Sequence, residues 1–183
     1  MRHLFNKSSV LAICFLVIYQ KGISQYNLMA NDLWYKKVVK AISIIKRADP
    51  FLYEEIITKA YIQAGMLNET DDMGNGFQKC GISILENRNE HSMPWILINS
   101  VQLDKWNLNK IAGVILHEAL HLKFWNYGVD GKYYSYKSES DMYKEHTYIY
   151  NYQLQFLKKI HAPEKDLVPC TTTMDFLNIP ITK

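Results

Sequence analysis

Cysteine, proline and glycine are all scarce in this chain, at three, five and eight of 183 residues. With no Pro/Gly-rich linker, internal repeat or low-complexity tract to divide it, its length suits one domain around one core. Charge of one sign is lacking too. Residues 1–24 hold Arg2, Lys7 and Lys21 of the 21 basic side chains and none of the 18 acidic ones, so the rest of the chain is formally neutral. Such a domain lacks the clustered Lys and Arg that replace counterions on phosphates, and neither DNA nor RNA is an expected partner.

A long apolar run is also missing. The run Val10 to Tyr19 is about ten residues, against the roughly 20 of a membrane-spanning helix. Arg2 and Lys7 precede it, and Gly22 and Ser24 follow it. That order predicts a signal peptide over residues 1–24, cut between Ser24 and Gln25, and a secreted or periplasmic domain over 25–183 with no stable membrane insertion. Cys14 leaves with the signal, while Cys80 and Cys170 remain in an oxidising compartment where a disulfide between them is expected. In the chain-entropy model a bridge closing so long a loop stabilises by roughly 4 to 5 kcal/mol.

Asn31 or Asp32 caps a first helix whose apolar positions Trp34, Val38, Ile42 and Ile45 recur at helical spacing. Asp49-Pro50 opens a second, carrying Leu52, Ile56, Ala60 and Ala64 and ending at Gly65. A polar loop, Asn68 to Gly76, precedes two expected strands, Phe77 to Leu85 and Trp95 to Val101. A long helix follows from Asp104 or Asn107 to about Asn126, then a Gly- and Tyr-rich loop, Tyr127 to Lys137. Ser138 caps a last long helix. Pro163, Pro169 and Pro180 predict an extended tail from Ala162.

The long helix contains His117-Glu118-Ala119-Leu120-His121. Residues i and i+4 share a helix face, so both imidazoles can aim at one metal ion. Glu118, about 100° round the helix, reaches the side of that metal rather than the metal itself. Zinc lowers the pKa of bound water to about 7, and a carboxylate beside it can take the proton as the water attacks a carbonyl carbon, then hand it to the departing amine. Chance alone gives this spacing in on the order of one in a few hundred chains of this length. Val114, Ile115, Ala119, Leu120 and Leu122 sharpen it, because an apolar helix would otherwise bury two histidines and a carboxylate without partners.

Residues 114 to 123 and the element order resemble the zincin metallopeptidases. The resemblance implies an α+β fold, with a small β-sheet packed against the motif helix and a long helix following. It also implies an edge strand beside the zinc, here Trp95 to Val101, to which an extended peptide adds by main-chain hydrogen bonds. The metzincin subclass is excluded, since Phe124 and Tyr127 stand where it needs Gly and His. A Glu-His pair in the last helix, Glu145-His146, is similar to that of small bacterial zincins.

A catalytic zinc takes three protein ligands and one open position, so the third comes from outside the motif helix. Glu139, Asp141, Glu145 and His146 are the candidates. His146 falls on the apolar stripe Met142, Ile149, Phe156 and Ile160, while Glu139 and Glu145 remain as alternative ligands or as groups that orient a ligand imidazole. Tyr133, Tyr134, Tyr136, Tyr143 and Tyr150 are within reach of a cleft after the motif, where one could hydrogen-bond an oxyanion, while an amphipathic tyrosine packing a helix or rimming a loop is the favoured reading of each. His91 and His161 look ordinary. The expected function is an exported hydrolase of peptide bonds with Zn2+ on His117, His121 and His146, Glu118 as base, and a peptide or protein substrate. Its rivals are a non-catalytic binding protein on a zincin scaffold and a cell-wall peptide amidase.

Overall fold

A computed structural model describes residues 32–65, 80–85, 94–126 and 139–182. The expected signal, the loop Asn68 to Gly76, the first strand's start at residues 77–79, His91, and the loop Tyr127 to Lys137 with Ser138 lie outside them. The fold is α+β, mostly helical, with one three-stranded sheet. Among the described residues no helix is long and apolar enough to cross a membrane.

Helix α1, Asp32–Ala48, buries Val38, Ala41, Ile42 and Ile45 on the expected face. The carboxylate of Asp49 accepts from Leu52 N at 3.0 Å and Pro50 opens α2, Pro50–Glu55. Such a cap stabilises by about 1 kcal/mol. The second helix does not reach Gly65: a 3₁₀ turn, Ile57–Lys59, leads into strand β1, Tyr61–Gly65. The even spacing of Ala60, Ile62 and Ala64 also satisfies a strand period, and Ile62, 1% exposed and paired with Ile96, decides for the sheet.

Strand β2 is Gly81–Leu85 and β3 is Pro94–Asn99. The order is β1-β3-β2, with β3 parallel to β1 and antiparallel to β2. The strand expected at the sheet edge is therefore central, and among the described residues β2 is the edge against the motif helix. β3 stops at Asn99 because its side chain accepts from Val101 N at 3.1 Å and caps the short helix α3, Ser100–Leu103.

Helix α4, Leu108–Asn126, starts where Asn107 accepts from Lys110 N at 2.9 Å. Asp104 serves α1 instead, accepting from the Trp34 indole at 3.0 Å. Ile111, Ala112, Ile115, Leu116, Ala119, Leu120 and Leu122 are fully buried, so α4 is enclosed on most sides, by α1, the sheet and the next helix. Each Leu or Ile buried so completely stabilises by roughly 1.5 to 3 kcal/mol.

Helix α5, Glu139–Lys159, crosses α4, and helix α6, Glu164–Phe176, packs on α5. The tail is thus helical rather than extended. Pro169 removes one backbone donor within α6, yet Cys170 and Met174 dock with Ile179 against Leu154 in a second apolar cluster, and that burial outweighs the loss. The expected disulfide is not formed: Cys80 is exposed just before β2, whereas Cys170 is enclosed in that cluster. Burial pushes the Cys170 thiol up to about 12.

Candidate metal centre

His117 and His121 lie one turn apart on α4 with ring centres 5.0 Å apart, and His146 from α5 comes within 4.9 Å of the His121 ring and 6.1 Å of the His117 ring. One ligating nitrogen from each lies within 4.8 Å of the other two. A point central to such a triangle is at most about 2.8 Å from each corner, so an inward movement of well under 1 Å brings the nitrogens to zinc-ligand distances of about 2.0 to 2.1 Å. Among the described residues this is the one group of three His, Cys, Asp or Glu side chains able to hold a metal ion.

The Nδ1 of each ring has an acceptor beside it. His117 Nδ1 meets Gln153 Oε1 at 2.9 Å, His121 Nδ1 meets Glu145 Oε1 at 2.7 Å, and His146 Nδ1 meets the Met142 carbonyl at 2.9 Å. All three partners are acceptors, so in each pair the ring donates and Nδ1 carries the hydrogen. Nε2 is then unprotonated in the neutral ring, the form that gives a lone pair to a metal. Loss of water on burial, reinforced by His121, holds His117 well below its ordinary value, and burial with the neighbouring His146 lowers His121 to about 3. Both rings are neutral at physiological pH.

Glu118 is buried on the β2 side of α4. The Ser83 hydroxyl lies 2.7 Å from Glu118 Oε2 and 2.8 Å from the Glu118 carbonyl oxygen, and its single hydrogen donates to one or the other. Gly81 makes the space: a Cβ there would sit 2.9 Å from Glu118 Cγ and 3.0 Å from Oε1. No real Cβ approaches so closely, so the missing side chain of Gly81 is what lets the carboxylate lie against the strand.

Of the candidate third ligands, His146 joins the two motif histidines and Glu145 does not. Its carboxylate sits at His121 Nδ1, on the opposite side of the ring from Nε2. Asp141 is half-buried outside the group and Glu139 begins α5. Tyr150 packs its ring 4.8 Å from His117 and 6.0 Å from His146, whereas the Tyr143 hydroxyl donates to the Asn178 carbonyl at 2.6 Å. Tyr133, Tyr134 and Tyr136 lie outside the described residues. His161 is exposed at the end of α5 with φ 53°. Sequence reasoning passed over Gln153, Ser83 and Gly81. Gln153 was within reach, because it stands seven residues after His146 on one helix face; Ser83 and Gly81 carry no sequence signal that points to Glu118.

Comparison with protein-family models, curated proteins and solved structures finds no match.

Proposed function

We propose that this chain is an exported zinc-dependent peptidase of zincin type, with His117, His121 and His146 as metal ligands and Glu118 as general base. The observation that carries the reading is the convergence of three imidazoles, each with its Nδ1 hydrogen donated to a neighbouring acceptor so that Nε2 is left to give a lone pair. Imidazole suits zinc, and three protein ligands leave a fourth position open. When bound, zinc supplies a Lewis acid for the scissile carbonyl and activates water at neutral pH.

The chain's own residues do the rest. Glu118 takes the proton of the attacking water and delivers it to the departing amine. Ser83 and the gap at Gly81 hold that carboxylate against β2. Among the described residues β2 is the sheet edge beside α4, and in this reading an extended substrate of varied sequence would add to it by main-chain hydrogen bonds. Tyr150, whose ring packs 4.8 Å from that of His117, is the described tyrosine this reading assigns to a developing oxyanion.

The test is metal analysis of protein purified without added metal, followed by digestion of a mixed peptide library. An equimolar amount of zinc and chelator-sensitive cleavage are expected. Glu118→Gln keeps the zinc and loses 10² to 10⁴-fold in turnover, roughly 3 to 5 kcal/mol of barrier. Turnover of Glu118→Gln equal to the parent's rejects the mechanism, and a protein that takes up no metal rejects the whole reading.

A further inference from the structure

We infer that Glu145 and Gln153 are positioning residues that set the tautomers of His121 and His117 and so preorganise the metal centre before any ion arrives; the part concerning the ion rests on the function proposed above. Both come from α5, the helix that also supplies His146. Glu145 is 3% exposed and lies 2.7 Å from His121 Nδ1; Gln153 lies 2.9 Å from His117 Nδ1. A neutral imidazole in water holds its hydrogen on either nitrogen. An acceptor fixed at Nδ1 forces it there and leaves Nε2 as the donor, and it also stops the ring from turning.

The backbone is shaped for this contact. Gly113 stands one turn before His117, and a Cβ there would lie 3.1 Å from Leu157 Cδ2 and 3.4 Å from Gln153 Nε2. The absent side chain lets α5 approach closely enough for Gln153 to reach the ring. Cys170 adds a weak contact, its thiol 4.0 Å from Gln153 Oε1, and thereby links α6 to the amide. The two acceptors are unequal: a carboxylate makes the shorter, stronger bond, and a neutral amide the weaker one.

Two readouts test the assignment without any substrate. Long-range proton–nitrogen correlation spectra of the metal-free protein report which ring nitrogen is protonated. His117 and His121 are expected as Nδ1–H forms in the parent, with His121 released to mixed tautomers in Glu145→Ala and His117 in Gln153→Ala. Zinc affinity, measured by competition with a chelating dye, is expected to fall 10 to 100-fold in each, more for Glu145→Ala. The near-isosteric Glu145→Gln keeps an acceptor and recovers the Nδ1–H form with most of the affinity, which a merely structural role for the side chain does not explain. Nε2–H histidines in the parent, or alanine variants that keep both tautomers and affinity, overturn the inference. A parent with the expected tautomers that binds no zinc overturns the metal reading instead and leaves the roles of Glu145 and Gln153 toward the imidazoles standing.

Discussion

The two sides of α4 bury one carboxylate each and treat it differently. Toward α5, Glu145 meets an imidazole at 2.7 Å, and each of the three histidines has an acceptor at Nδ1. Toward β2, Glu118 meets a serine hydroxyl and the space left by a glycine. The first arrangement fixes ring orientation through several polar contacts from one helix. The second sets a carboxylate against a rotatable hydroxyl that has a further acceptor, the Glu118 carbonyl oxygen, at 2.8 Å. In the proposed mechanism a ligand must not move, whereas a base must accept and release a proton without losing its place, and that proposal assigns the two sides these different tasks.

Acid breaks the α5 side first. Burial lowers both motif histidines below 6.5, His121 to about 3, so in the pH range beneath 6.5 the unfolded chain binds protons that the folded metal-free chain refuses. Stability is fully present above that range and falls with pH through it, by up to about 1.4 kcal/mol per pH unit for each histidine. His117 is the cleaner contributor, since its Nδ1 partner is a neutral amide with no charge to offset burial. Urea unfolding of the metal-free protein from pH 7.5 down to pH 4 checks this. Gln153→Glu, which places a carboxylate at that nitrogen, is expected to flatten the slope, and an unchanged slope shows that His117 does not carry it.

Gly81→Ala breaks the other side. The three atoms nearest the new Cβ would all belong to Glu118, the first at 2.9 Å, so the carboxylate must shift. A misplacement near 1 Å of a group acting on the reaction costs about 10²-fold in rate. Zinc affinity is expected to stay within a few-fold of the parent's, because the contacts that orient the proposed ligands lie on α5. Equal losses of zinc and turnover would show that the two sides are not separable.

How much of this was legible in the residues depends on how local the determinant was. The motif on α4, the cap at Asp49-Pro50 and the apolar stripe that carries His146 are each set by local sequence within one element, and the structure has both long helices and the cap where the sequence puts them. The helix read through to Gly65 failed because Ala60, Ile62 and Ala64 fit two periods, and only pairing with β3 separates them. The extended tail failed because prolines were weighed without the apolar cluster that Cys170, Met174 and Ile179 make with Leu154. The same docking left Cys170 enclosed and unbridged. Among the described residues β2 is the edge beside the motif helix through strand order, a property no single segment encodes.

The smallest effect belongs to Ser83, and it probes how firmly a base must be held. Its hydroxyl, buried on β2, has one hydrogen and two acceptors on Glu118, Oε2 at 2.7 Å and the carbonyl oxygen at 2.8 Å. While Glu118 is ionised the hydrogen is best used on Oε2; once that oxygen is protonated, the carboxyl can donate to Ser83 and the serine hydrogen can turn to the carbonyl. Either way the carboxyl stays bonded to the strand. Ser83→Ala removes that support without filling new space, and a single hydrogen bond of this kind contributes about 1 kcal/mol. On whichever library peptide is cleaved, kcat is expected to fall about tenfold, which corresponds to roughly 1.4 kcal/mol. KM and zinc affinity should not move, because Ser83 touches neither a ligand nor an acceptor of a ligand hydrogen. Ser83→Thr keeps a hydroxyl in reach and should recover most of the loss. If kcat is unchanged in Ser83→Ala, other contacts hold the base; if KM rises instead, Ser83 serves the substrate strand rather than Glu118.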